Sequence, residues 1–145
     1  MQKRFGNVAA VVLIAANVSA CSSAYTATAP GTLPGGMAQL AINDRGSHQT
    51  DTVNCLPMGW LTKITTGDTA QGTVAFVSND KALGAKAVNI NDVDGFTGSY
   101  VAGIQGEAQV AMSGRTYTIR GIAEGFDREK PSARVAETFT IKVSC

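Results

Sequence analysis

Three thiols, one imidazole and scattered hydroxyls and carboxylates are the reactive groups of this chain, and their spacing decides which can act together. His48, the single histidine, sits in the polar run from Asp44 to Asp51. A catalytic triad or a zinc site built from protein ligands needs further partners at set spacings, so His48 reads as a surface imidazole. Ser47, Ser99 and Ser113 lack a Gly-x-Ser-x-Gly setting, and neither a Gly-x-Gly-x-x-Gly run nor a P-loop occurs. The segment from Asn89 to Gly95 alternates oxygen-bearing side chains ahead of a glycine, as a calcium loop would. Its register fails: with Gly95 in sixth place, Ile90 stands first and Val101 twelfth. A strand end followed by an Asp-Gly turn fits better. Paired carboxylates for glycoside hydrolysis are a matter of space rather than sequence, and no pair stands out. The expectation is no catalytic residue, no metal and no cofactor.

Cys21 stands apart. Lys3 and Arg4 form a small positive head, and Val8 to Val18 is apolar over the length of a signal-peptide core rather than of a membrane span. Val18-Ser19-Ala20 then lead into Cys21, an aliphatic residue and two small ones before a thiol. The pattern resembles the lipobox of bacterial lipoproteins. That resemblance implies that the thiolate takes a diacylglyceryl group as a thioether, that cleavage frees the Cys21 amine, and that the amine can take a third chain. Each buried methylene contributes about 0.8 kcal/mol, so one chain holds weakly while two or three hold firmly. The competing reading is a plain secretory signal followed by an incidental cysteine.

The expected organisation is a signal peptide over 1–20, a lipidated N-terminus and flexible tether over 21–36, and one β domain over 37–145, held at the extracytoplasmic face of the cell membrane. Ser22 to Gly36 contains two prolines, three glycines and no charge. Such a segment spans at most about 50 Å extended and roughly 20 Å as a coil, which keeps the domain near the lipid surface. Thr26, Thr28 and Thr32 can carry sugars, although the composition is that of a linker.

Loss of about twenty residues from 145 leaves enough chain for one modest core. Removing Lys3 and Arg4 leaves ten basic against eleven acidic residues. A near-neutral domain argues against nucleic acid, which calls for a clustered basic face. With Cys21 assigned to lipid, Cys55 and Cys145 remain in a compartment where disulfides persist, and one bridge is the simplest expectation. A redox pair or metal site would need Cys-x-x-Cys or histidine partners, which are absent.

From Met37 onward the hydrophobic period is two. Phe139, Ile141, Val143 and Cys145 alternate with Thr138, Thr140, Lys142 and Ser144, which turns Cys145 inward. Tyr117, Ile119, Gly121 and Ala123 alternate likewise, as do Ala108, Val110 and Met112, with Ser113-Gly114 as a hairpin turn between them. Weaker strands are expected over 39–43, 52–55, 60–65, 73–78, 87–93 and 96–104. Asp80 to Lys86 suits a helical turn or a loop, and Asp127 to Arg134, charged and broken by Pro131, is expected to be an exposed loop. The fold expected is all-β, a single antiparallel sandwich or partly closed barrel of about seven to nine strands, monomeric as a domain.

Core packing is the default for the lone Trp60. An apolar pocket bounded by Trp60, Phe76, Tyr100 and Phe139 is the alternative, since sheets of this kind can enclose a lipid-sized ligand.

Val53-Asn54-Cys55, Asn91 to Gly95 with Tyr100 to Gly103, Tyr117 to Gly125 and Phe139 to Cys145, together with the lipobox and the Thr/Pro/Gly tether, resemble the mycobacterial nineteen-kilodalton lipoprotein antigen family, the LpqH-like lipoproteins. The Tyr-x-Ile-x-Gly-x-Ala-x-Gly and Phe-x-Ile-x-Val-x-Cys segments are its most specific parts. The resemblance implies a surface-exposed envelope lipoprotein without known enzymatic activity, in which Cys21 is lipidated and Cys55 pairs with Cys145. It also implies recognition by a host Toll-like receptor, largely through the acylated cysteine, and adhesin or antigen behaviour. The partners expected are the membrane, through the lipid on Cys21, and either a host receptor or an envelope lipid. Two functions compete: a non-enzymatic anchored protein making surface contacts, and a carrier holding an acyl chain inside its sheet.

Overall fold

The computed structural model describes residues 31–145. The leader, Cys21 and the first part of the tether lie outside the described residues. Ten strands follow: β1 Ala38–Ile42, β2 His48–Thr50, β3 Val53–Met58, β4 Leu61–Gly67, β5 Gly72–Ser78, β6 Gly84–Val93, β7 Phe96–Val101, β8 Glu107–Ser113, β9 Thr116–Asp127 and β10 Lys130–Ser144. No helix occurs among the described residues. The all-β, antiparallel expectation is met, with ten strands where alternation suggested seven to nine. β2, three residues on a sheet edge, is too short to show a period.

All strands join one sheet in the order β2-β1-β10-β9-β7-β6-β5-β4-β3, and β8 also pairs with β9. The long β9 carries two partners on one edge, β8 along Thr116 to Ile122 and β7 along Glu124 to Asp127. The two end strands of this path, β2 and β3, are separated in sequence by only Asp51 and Thr52. Two residues span at most about 7 Å, so the sheet must curl until its edges approach, giving a nearly closed barrel. The Gly67 N–H donates to the Thr52 carbonyl at 2.9 Å and extends the β3–β4 ladder by one residue, back towards β2.

The inner face forms the core. Leu40, Ile64, Val88, Phe96, Ile119, Phe139, Ile141 and Val143, drawn from six strands, are each at most 2% exposed. Burying a side chain of that size stabilises the fold by about 1.5–3 kcal/mol. Polar groups that enter the core are paired: the Thr66 and Thr73 hydroxyls share a hydrogen bond at 2.7 Å, and the Tyr100 hydroxyl donates to the Ala85 carbonyl at 3.0 Å. β8 departs from expectation at its end, where Met112 is half-exposed.

The turns follow their residue chemistry. Val93 pairs with Phe96 across Asp94-Gly95, both at positive φ (52° and 82°), the conformation that selects Asp-Gly in two-residue hairpins. Ser113 pairs with Thr116 across Gly114-Arg115, with Gly114 at φ 57°. Asp127 to Arg134 is not a loop. β9 runs to Asp127, the turn is Arg128-Glu129, and β10 begins at Lys130 with a register shift between Lys130 and Arg134. Pro131 has no N–H to give a ladder, and a bulge is where a strand tolerates that loss.

Candidate functional site

Cys55 and Cys145 are bonded, with Cα atoms 5.9 Å apart. Alternation turns Cys55 inward between exposed Asn54 and Leu56, and Cys145 follows the buried Val143–Ser144 end of β10. The bridge thus ties the edge strand β3 to the end of β10. The chain reaches the barrel at this same end. The Leu33 N–H donates to Thr116 Oγ1 at 3.0 Å and the Gly36 N–H to the Ser144 carbonyl at 2.9 Å. Leu33 to Gly36, expected to belong to the tether, therefore lie against β9 and β10, where the amides of Leu33 and Gly36 find acceptors.

Trp60, Phe76, Tyr100 and Phe139 do not come together. Tyr100 and Phe139 belong to the inner face, 6% and 2% exposed. Phe76 alternates with the buried Ala75 and Val77 and so faces outward on β5. Trp60 occupies the turn between β3 and β4 after Gly59 at φ 66°, and projects into solvent instead of packing in the core. The reason is register: Met58 pairs with Leu61, which leaves Gly59 and Trp60 as a two-residue loop with no sheet above it.

His48 lies exposed on β2. Among the described residues no three His, Cys, Asp or Glu side chains group to hold a metal ion.

A different set of residues forms a groove of about 640 Å³ on the outer face. Its floor follows strand pairing: Asn89 of β6 faces Ser99 of β7, and Ser99 faces Glu124 of β9. Beside this polar row, Gly98 pairs with Gly125. A Cβ on Gly125 would lie 2.0 Å from the Thr97 carbonyl oxygen and 2.4 Å from the Gly98 Cα, so close approach of β7 and β9 requires glycine here. Gln105, in the β7–β8 connection, donates through Nε2 to the Ser99 hydroxyl at 2.7 Å and to its carbonyl at 3.0 Å. The bulged start of β10 brings Pro131 to Arg134 over the far wall, where the Arg134 guanidinium donates to Glu124 Oε2 at 3.2 Å. Both partners are well exposed, so solvent screens the pair and its stabilisation is about 1 kcal/mol at most. Phe126, 39% exposed, adds an apolar wall.

The groove offers amide, hydroxyl and carboxylate groups beside one aromatic ring, and its two opposite charges face each other. That is the equipment of a binding surface. Sequence reading gave the outward place of Arg120 on β9, but not the burial of Thr116 at its start nor the strand's neighbours. The interior strand glycines Gly98 and Gly125 were the available signal, since glycine inside a strand marks close backbone approach.

Comparison with known proteins agrees with the resemblance. Residues 31–145 match the family described as Mycobacterium 19 kDa lipoprotein antigen. The chain is 34% identical to a putative lipoprotein of Mycobacterium indicus pranii, over 94% of this chain and 95% of the relative. It is 31% identical to lipoprotein LpqH of Mycobacterium tuberculosis, over 95% of this chain and 94% of that one. Its identity to the probable lipoprotein LppE of Mycobacterium tuberculosis is 32%, over 92% and 91% of the two chains.

Proposed function

The chain belongs to the mycobacterial 19 kDa lipoprotein antigen family, and on that premise we propose that it is a non-enzymatic envelope lipoprotein, anchored through acylated Cys21, whose β barrel displays a contact surface outside the membrane. Cys21 also supplies the acyl group through which a host receptor would recognise it.

The groove carries the reading for the domain itself. Its polar groups converge from β6, β7, β9 and β10, and the Glu124–Arg134 pair leaves it without excess charge. Such a surface favours a neutral, hydroxyl-rich partner over an anion. Hydroxyls can replace the solvent around Asn89, Ser99 and Glu124 while Phe126 covers an apolar edge. The alternative, an acyl-chain carrier, draws less support, because Tyr100 and Phe139 are spent on the protein's own core.

Metabolic labelling with an alkynyl fatty acid tests the anchor. Label on the wild-type chain and none on Cys21→Ala supports it, and equal label on both contradicts it. For the groove, the paired change Glu124→Ala with Arg134→Ala should reduce binding to envelope polysaccharide at least about tenfold with the melting temperature little changed, as expected of a screened surface pair. Unchanged binding would refute the groove, and acyl chains co-purifying with the barrel in native mass spectra would support the carrier.

A further inference from the structure

Among the described residues, three of the six large exposed apolar side chains stand together at one end of the barrel, while Ile104, Met112 and Phe126 lie apart on the β7–β8 connection, β8 and β9. Leu56 is 52%, Met58 49% and Trp60 54% exposed, all on β3 or the turn that follows it. β3 closes one end of the sheet and, among the described residues, pairs only with β4. Leu56 and Met58 share its outer side, opposite Lys63 and Leu61 of β4. The Asn79 N–H donates to the Trp60 carbonyl at 3.1 Å, which ties the start of the β5–β6 loop, where Lys81 is exposed, to the β3–β4 turn.

Topology sets the direction of this hairpin. Six antiparallel pairings separate β10 from β3, so the two strands run in the same sense. The disulfide puts Cys55 level with Cys145, where β10 ends. β3 and its turn continue five residues beyond Cys55 to Trp60, so the tip projects about 10–15 Å past that level. The polypeptide joins the barrel at this level too, through Leu33 on Thr116 and Gly36 on Ser144. Leu33 lies twelve positions after Cys21, at most about 40 Å of chain. The tether thus enters at the end from which the apolar tip protrudes.

We propose that the β3–β4 hairpin docks into the surface of the lipid leaflet, with Trp60, Met58 and Leu56 entering the interfacial layer and Lys63 and Lys81 meeting anionic headgroups. Proximity to that leaflet rests on acylation of Cys21. The residue types fit the occupant: an indole prefers the boundary between headgroups and acyl chains, and a lysine can lay its stem along apolar surface while its ammonium stays among phosphates. The hairpin gives the domain a second attachment and a fixed orientation, with the tip at the membrane.

Trp60 is the only tryptophan, so its emission reports on the tip alone. The mature acylated protein is reconstituted on vesicles of phosphatidylcholine and phosphatidylglycerol carrying brominated acyl chains. The expected result is a blue-shifted emission quenched at least about twofold, as for an interfacial indole. Leu56→Ser with Met58→Ser should remove most of that quenching, and Lys63→Glu with Lys81→Glu should weaken it on anionic vesicles only, while far-UV circular dichroism stays unchanged. Vesicle-bound protein with a water-exposed, unquenched Trp60 overturns the docking while leaving the anchor intact. Equal retention of wild type and Cys21→Ser on vesicles, with Trp60 quenched in both, overturns the anchor and keeps the docking. A blue shift that rises with protein concentration in the absence of lipid assigns the tip to a second copy of the chain and refutes the proposal.

Discussion

Removing the Cys55–Cys145 bridge is the perturbation whose size follows most directly from the structure. The bond closes a loop of 90 residues. Chain-entropy arguments give about 4–5 kcal/mol for restricting an unfolded chain by a loop of that length. A domain of this size has about 5–15 kcal/mol in total, so the bridge supplies a large share. Its position adds a local effect: among the described residues β3 pairs laterally with β4 alone, and the disulfide is a second covalent link, besides Asp51-Thr52, to the far side of the seam. Replacing both cysteines by serine should lower the unfolding free energy by about 3–5 kcal/mol in urea melts. Reducing the wild type should lower it similarly, and amide exchange should accelerate in Val53–Met58 more than in β9 or β10. A loss below about 1 kcal/mol, or exchange that rises evenly across the sheet, would refute the reasoning.

Other consequences can be checked with single substitutions. Thr66→Val or Thr73→Val leaves one buried hydroxyl without its 2.7 Å partner and should cost about 1–3 kcal/mol, whereas the double change should cost less than the two singles combined; strict additivity in a thermal denaturation cycle would contradict this. Gly125→Ala forces a Cβ against the Thr97 carbonyl and the Gly98 Cα, so a loss of about 2–4 kcal/mol is expected in urea melts, with shifted amide resonances along β7. The backbone amides of Gln71 and Ala70 donate to Asp68 and hold its carboxyl below the ordinary value of 3.8. A carboxylate whose pKa is depressed by folding favours the folded state above its unfolded value and loses that effect as pH falls through the folded one. Carbon-detected titration should therefore place Asp68 below 3.8, and a higher midpoint would show that the two hydrogen bonds do not persist in solution.

The fold was legible where alternation and turn chemistry coincide. Phe139, Ile141 and Val143 point inward as their spacing requires, and Asp94-Gly95 and Gly114 turn the chain where their φ freedom permits. Cysteine count, with Cys21 assigned to lipid, pointed to the Cys55–Cys145 bond. Strand neighbours were not legible, because pairing is set by long-range register: nothing local in Ser99 shows that it faces Asn89 on one side and Glu124 on the other. Asp127 to Arg134 misled because its charge and proline are loop-like, yet a bulge absorbs Pro131 and lets β10 continue. Trp60 misled in the opposite direction. Its apolar area suggested burial, while the two-residue turn leaves no sheet to cover it.

Anchoring by Cys21 is the claim on which the proposed function turns, and intact mass spectrometry of the protein isolated from mycobacterial membranes tests it most directly. The account predicts a mature chain that starts at Cys21 and carries a diacylglyceryl thioether, with or without a further acyl group on its amine. A chain starting elsewhere, or a free Cys21 thiol in membrane-bound protein, would contradict it.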